Sequence, residues 1–261
     1  MKALSTAATG MHAQQTAVDV ISNNIANANT TAFKSSRAAF RDLMYESVGR
    51  EGSLTSAAGT ATPTGIDIGL GVESAGTVRL HTQGGLTHTE GRLDVAIDGT
   101  GYFVVAAPDG GQAYTRDGSF GLSAEGQLVT LKGHEVDPGI VVPERTQAIE
   151  IGETGIVLAY LEDDPEPVEL GRLTLATFVN EGGLKPLGDN LFAATSASGD
   201  PIQGTPGDVG FGELRQGYLE NSNVDVVQQL TDLIKAQRAY ELNSKSIETA
   251  DEMMSTATRL R

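Results

Sequence analysis

The chain has 261 residues, with 34 acidic against 18 basic side chains, a net charge of -16, 39% hydrophobic residues and no cysteine. That excess of negative charge repels nucleic acid and anionic lipid, and the missing thiols exclude disulfides, thiolate metal sites and cysteine nucleophiles. The apolar content is enough for a core, but no run of 18 consecutive apolar residues offers a membrane-spanning helix, so no direct membrane insertion is expected.

The first element is a helix. Leu4, Met11, Val18 and Ile25 recur every seven residues, with Ala7, Gln14, Ile21 and Ala28 between them, which is a heptad seam. It runs into SNNIANANTTAFK, Ser22 to Lys34, where four asparagines fall within seven residues. An asparagine amide competes for backbone hydrogen bonds and is unfavourable inside a helix. Asn23, Asn24, Asn27 and Asn29 are therefore expected at the last turn and exit, where short amides cap backbone groups, with Phe33 anchoring the exit.

Residues 46–79 form a Gly/Ser/Thr-rich extension that reads as a linker by composition. Ile66, Ile68, Leu70 and Val72 nevertheless alternate strictly, and Pro63 restricts the chain just before them, so the second half is expected to form a strand or hairpin. The middle of the chain reads as β structure: LDVAI (Leu93 to Ile97), YFVVA (Tyr102 to Ala106), AIEI (Ala148 to Ile151), GIVLAYL (Gly155 to Leu161) and RLTLATFV (Arg172 to Val179) are short and rich in β-branched or aromatic residues. Asp109-Gly110, Asp117-Gly118 and Glu125-Gly126 fall where hairpin turns are expected.

The last element is a second heptad helix, with Val226, Leu233, Tyr240, Ile247 and Met254 on one row and Gln229, Ala236, Asn243, Ala250 and Ala257 on the other. Asn221, Ser222 and Asn223 supply cap-type residues before it, and Asp225 is placed in its first turn. At about 36 residues it extends roughly 54 Å, longer than a core of this size requires. Residues 1–45 and 218–261 are together neutral, so the whole negative excess lies between them. Neutral, seam-bearing ends suit packing against copies of themselves and are expected to order fully only on assembly; an acidic middle suits solvent.

These elements give an α+β fold: terminal coiled-coil-like helices packed together, an extended hairpin-like segment and a central, mostly antiparallel β domain. The boundaries are 1–45 for the first helix and its exit, 46–79 for the extension, 80–215 for the β domain and 216–261 for the last helix. Chemistry is sparse. His12, His81, His88 and His134 show no metal-ligand spacing and read as surface residues, no phosphate loop or nucleophile elbow occurs, and the carboxylates of LEDDPEPVE (Leu161 to Glu169) lack calcium-loop spacing. No enzyme activity, metal or cofactor is expected.

NNIANANTTAFK (Asn23 to Lys34) resembles the N-terminal signature of the bacterial flagellar rod and hook proteins, and DVAIDGTGYFVV (Asp94 to Val105) resembles the entry to their β domain. AYTRDGSF (Ala113 to Phe120), QGYLENSNVDVV (Gln216 to Val227) and LIKAQRAYELNSKSIETADEMM (Leu233 to Met254) match in the same order. The resemblance implies a self-assembling helical tube with terminal helices around an export channel and β domains outside. It also implies partners: other rod proteins, the hook protein, surrounding ring proteins and the flagellar export apparatus, through which the chain would pass without a cleaved signal. Length, AQRAYELNSKSI and the segment Tyr45 to Val72 fit a distal-rod subunit better than a proximal-rod or hook-type one. In such an assembly the apolar seam residues, Ile21, Phe33 and the asparagines Asn23, Asn24 and Asn27 would pack between subunits, as would Ile66, Ile68 and Leu70. The alternative from another class is a monomeric acidic binding module with both helices packed on its sheet.

Overall fold

The computed structural model describes residues 2–49, 64–107, 110–162 and 166–259. The chain divides into two compact units. The helical unit comprises Met1–Ala26, Ser36–Arg79 and Asp225–Arg261, and the β unit comprises Asn27–Ser35 and Leu80–Val224. The fold is α+β, and every strand pairing among the described residues is antiparallel.

In the helical unit, α1 (Lys2–Ala26) packs against α2 (Val226–Arg259). Neither helix contains proline, and the hydroxyls of Thr6, Thr16, Thr231 and Thr249 bond back to carbonyls four residues earlier, which hides their polarity on the helix surface. Asp225 is the N-cap of α2 and not a first-turn residue: its Oδ1 accepts the N–H groups of Val227 and Gln228 at 2.9 and 3.1 Å. The rest of the unit is a two-stranded ribbon. Strands β1 (Ser36–Asp42) and β4 (Val72–Arg79) pair from Ser36–Arg79 to Asp42–Val72, and β2 (Tyr45–Gly49) and β3 (Ile66–Gly69) continue the same ribbon.

The expected hairpin is thus present but opens at Ser36, ten residues before the boundary at 46, because its first strand, SRAAFRD, has too few β-branched residues to signal itself. The tip, with Pro63, lies outside the described residues, as do Asp109 and residues 163–165 of the acidic turn.

The β unit is built on a six-stranded sheet in the order Lys185–Gly188, Leu191–Ala193, Gln112–Thr115, Tyr102–Ala106, Leu175–Thr177, Ile202–Gly204. Its central strand YFVVA is apolar throughout because both faces are covered. Phe103 and Val105 belong to a core with Val95, Ile97, Leu128, Leu173 and Leu214, whereas Tyr102 and Val104 belong to a second with Tyr114, Phe178 and Phe192. A three-stranded sheet, Thr146–Ile151, Ile156–Leu161 and Val168–Arg172, lies beside the first core. Glu125-Gly126 turns a hairpin between Phe120–Leu122 and Leu128–Thr130. Asp117-Gly118 does not: the strands on either side of it pair with different partners, and Gly118 is there because a Cβ would lie 1.6 Å from the Val95 carbonyl oxygen.

Candidate assembly surfaces and a buried ion-pair cluster

The helix pair is antiparallel and its contact rows are identifiable atom by atom. Asn24 Nδ2 donates to Gln229 Oε1 at 3.0 Å. Fourteen residues away on each helix, Gly10 lies under Asn243, where a Cβ would be 2.8 Å from Nδ2. On α2 this is the predicted small-or-polar row, and Ala236 on the same row is buried. On α1 the contact points are Gly10 and Asn24, on a row one residue out of phase with the predicted Leu4, Met11, Val18 and Ile25. Those four, with Ile21, are half-buried and flank the contact. The physical reason is closeness: a glycine and small residues let the two backbones approach, which branched side chains on that line would prevent.

The apolar row of α2 is correspondingly at the side. Leu233 and Ile247 are half-buried, and Val226, Tyr240 and Met254 are exposed, as are Val227, Leu230, Ile234 and Leu242 on neighbouring faces. The ribbon presents a second apolar surface: Ile66 and Val48 are each 61% exposed, and Met44, Tyr45, Ile68 and Leu70 are exposed beside them.

The asparagines do different things. Asn24 is 1% exposed, and its amide grips one backbone residue from both sides, accepting from Ser36 N–H at 2.9 Å and donating to Ser36 O at 2.8 Å. With Gln229 both amide hydrogens have partners inside the chain. Asn23 is exposed at the last turn. Asn27 and half-buried Phe33 belong to the β unit, where Asn27 accepts from the Thr30 hydroxyl at 3.2 Å. The alanine after this turn, Ala32, is buried with a left-handed φ of 57° and donates its N–H to Glu220 O.

The sequence reading missed the most polar buried site. Lys34 and Glu220 have fully buried side chains 2.5 Å apart, and Arg116, 3% exposed, reaches the other Glu220 oxygen at 3.4 Å. Further hydrogen bonds fix all three: Lys34 Nζ donates to Thr82 O, Gly84 N–H donates to Glu220 Oε1, and Arg116 donates to Gly99 O while its guanidinium sits 5.3 Å above the Tyr102 ring. Burial holds the Lys34 ammonium below the usual lysine value, against the opposing pull of Glu220, and burial also pushes the Tyr102 hydroxyl above the tyrosine range. That hydroxyl lies 2.7 Å from His81 Nδ1, so His81 is a core-side residue and not the expected surface one.

A signal for this cluster existed. Lys34, Gly99, Tyr102, Arg116 and Glu220 lie in the four family-like stretches that precede the last helix. In QGYLENSNVDVV the amides and Glu220 have internal partners. Gln216 caps the edge of Thr146–Ile151 at Ile149 O and Ile151 N, Asn221 binds Thr87, and Asn223 accepts from Ser35 N–H while donating to Leu80 O and Thr82 O.

A helix pair and a ribbon with apolar rows turned to solvent, beside a β unit with a buried ion-pair cluster, define a building block for a larger assembly. Comparison with known proteins agrees. The family model described as flagella basal body rod protein matches residues 4–34, the flagellar hook protein FlgE/F/G D1 domain matches 96–159, and the flagellar basal body rod FlgEFG protein C-terminal region matches 215–260. Relatives named flagellar basal-body rod protein FlgG are similar from end to end. The one from Agrobacterium fabrum is 51% identical over 99% of both chains, that from Caulobacter vibrioides 49% over 100% of both, and that from Buchnera aphidicola of Acyrthosiphon pisum 48% over 97% of this chain and 96% of its own. The chain belongs to the flagellar basal-body rod protein family and is a structural subunit of the flagellar basal body.

Proposed function

We propose that the chain is a distal-rod subunit that polymerises into a helical tube, transmits torque and encloses the export channel, without enzymatic activity of its own. Exposed apolar surface carries this reading. Val48, Ile66, Ile68, Leu230 and Ile234 keep 42–61% of their surface in water, so a neighbouring copy that buried them would gain about half of the roughly 1.5 to 3 kcal/mol of full burial for each. In this reading the flanking residues Leu4, Met11, Val18, Ile21, Ile25, Leu233 and Ile247 pack between helix pairs, and the ribbon lies between adjacent subunits and stiffens the tube. Val226, Tyr240, Met254, Asn23, Asn27, Phe33 and Leu70 supply the remaining subunit contacts. The partners are copies of this chain, other rod proteins, the hook protein, the surrounding rings and the export apparatus.

Ile68→Asp and Leu230→Asp test it. Both side chains are exposed in the single chain, so each variant keeps the parent's melting temperature, whereas a carboxylate at a repeated apolar contact blocks polymer formation in sedimentation assays. Normal polymerisation by both variants would overturn the reading.

A further inference from the structure

The ribbon is tied to α1 at points that keep step along both. Asn24 grips Ser36 at one end. Further along, Thr9 lies under Gly71, which accepts Leu43 N–H across the ribbon: a Cβ at Gly71 would be 2.2 Å from Thr9 Oγ1, and Val72 N–H donates to that oxygen at 3.4 Å. Asn24 to Thr9 is roughly 22 Å of helix at 1.5 Å per residue, and Ser36 to Leu43 is roughly 23 Å of strand at 3.3 Å per residue. Lys2 and Glu46, paired at 2.6 Å, lie about 10 Å further on along helix and strand alike. The ribbon therefore runs alongside α1 toward the helix N-terminus, and Val48 and Ile66 are exposed because the helix has run out beneath them.

The hold on the ribbon is unequal along its length. Strands β1 and β4 pack against α1. Beyond Gly71 the ribbon has one ion pair with α1 among the described residues, and since Lys2 and Glu46 are each about half exposed, that pair contributes little. A two-stranded ribbon is only marginally stable by itself. We propose that Gly71 is the positioning residue of the ribbon: its missing side chain lets the strand sit directly on Thr9, and this seat keeps the far half, Tyr45–Gly49 with Ile66–Gly69, in line with α1. Two independent features call for glycine. Its φ is 121°, where side chains are strained, and the space of a Cβ is taken by Thr9 Oγ1, itself fixed by donating to Thr6 O at 2.8 Å. A strand forced up at Gly71 would carry Val48 and Ile66 away from the line of the helix. That these side chains then meet a neighbouring copy rests on the polymer reading above; the seat does not.

The chain has no cysteine, so Lys2→Cys with Glu46→Cys offers a single pair to a short bis-maleimide that replaces the reach of the two lost side chains. In the full chain, diluted so that reaction stays within one molecule, this pair bridges readily. Gly71→Ala lowers the bridging rate about tenfold at unchanged helix content, because groups held out of reach lose effective concentration steeply. Adding Thr9→Ala removes the obstructing oxygen and leaves the backbone strain at position 71, so a rate restored to within about threefold of the start assigns the effect to the seat. Sedimentation of the same variants reads the polymer separately: normal polymer with a displaced ribbon contradicts the ribbon's assembly role and leaves the seat standing. A folded Gly71→Ala chain that bridges at the starting rate, or a double variant that bridges no faster than Gly71→Ala, overturns the proposal.

Discussion

Glu220→Gln removes one charge from the buried cluster and almost nothing else. The glutamine oxygen can still accept Gly84 N–H, so the backbone bond survives, but Lys34 and Arg116 are left as two cations with side chains 0% and 3% exposed and no counter-charge between them. Breaking a buried pair in this way costs about 3 to 5 kcal/mol, because the remaining charge has lost its compensation. For a domain the size of the β unit, each kcal/mol lowers the melting temperature by roughly 2 to 4 °C, so a fall on the order of 10 °C is expected in thermal unfolding followed by circular dichroism. Lys34→Met is milder, because Glu220 keeps Arg116 and Gly84 N–H, and the double variant is more stable than Glu220→Gln alone. The variant also acquires a pH dependence of known sign. Burial already holds Lys34 below its ordinary value, and removing Glu220 removes the main opposing pull. The folded state then binds fewer protons than the unfolded state between the two lysine values, so stability of Glu220→Gln rises with pH through that window. A melting temperature within a degree or two of the parent, or a larger loss from Lys34→Met than from Glu220→Gln, would refute the reasoning.

Gly118→Ala should destabilise the β unit by about 3 kcal/mol or more in urea unfolding, since its Cβ would meet a backbone carbonyl that cannot turn aside. Gly10→Leu should lower helix content and melting temperature despite leucine's better helix propensity, because the seam has no room over Asn243; a gain in stability would mean that the helices do not approach this closely. Tyr102 should remain protonated in ultraviolet titration after the exposed tyrosines have ionised. Its raised value is a contribution fully present below the ordinary tyrosine value of about 10 and lost above it, so alkaline unfolding and the last tyrosinate signal should coincide, and Tyr102→Phe should separate them.

The parts of the fold that could be read from sequence are those where one physical cause acts locally. YFVVA was readable to the residue because a strand buried on both faces must be apolar throughout, and the helices were readable because a heptad repeats. Phase was harder: α1 carries alanine, threonine or glycine on several sides, and the row that touches α2 is the one with least hydrophobicity. The pairing in the ion-pair cluster was out of reach: its members lie in the family-like stretches, but Lys34 and Glu220 are 186 positions apart, and only the fold brings them together. Asparagine at position 24 marks a helix exit by residue type alone, yet only the fold supplies Ser36 and Gln229 as its partners.

A helical reconstruction of the assembled chain by electron cryomicroscopy tests the central claim most directly. The expected result is a tube in which Val48, Ile66, Ile68, Leu230 and Ile234 are buried against neighbouring copies while Asn24, Lys34, Arg116 and Glu220 keep the partners they have within one chain. A polymer in which those five apolar side chains remain in solvent, or a chain that stays monomeric with them exposed, would contradict it.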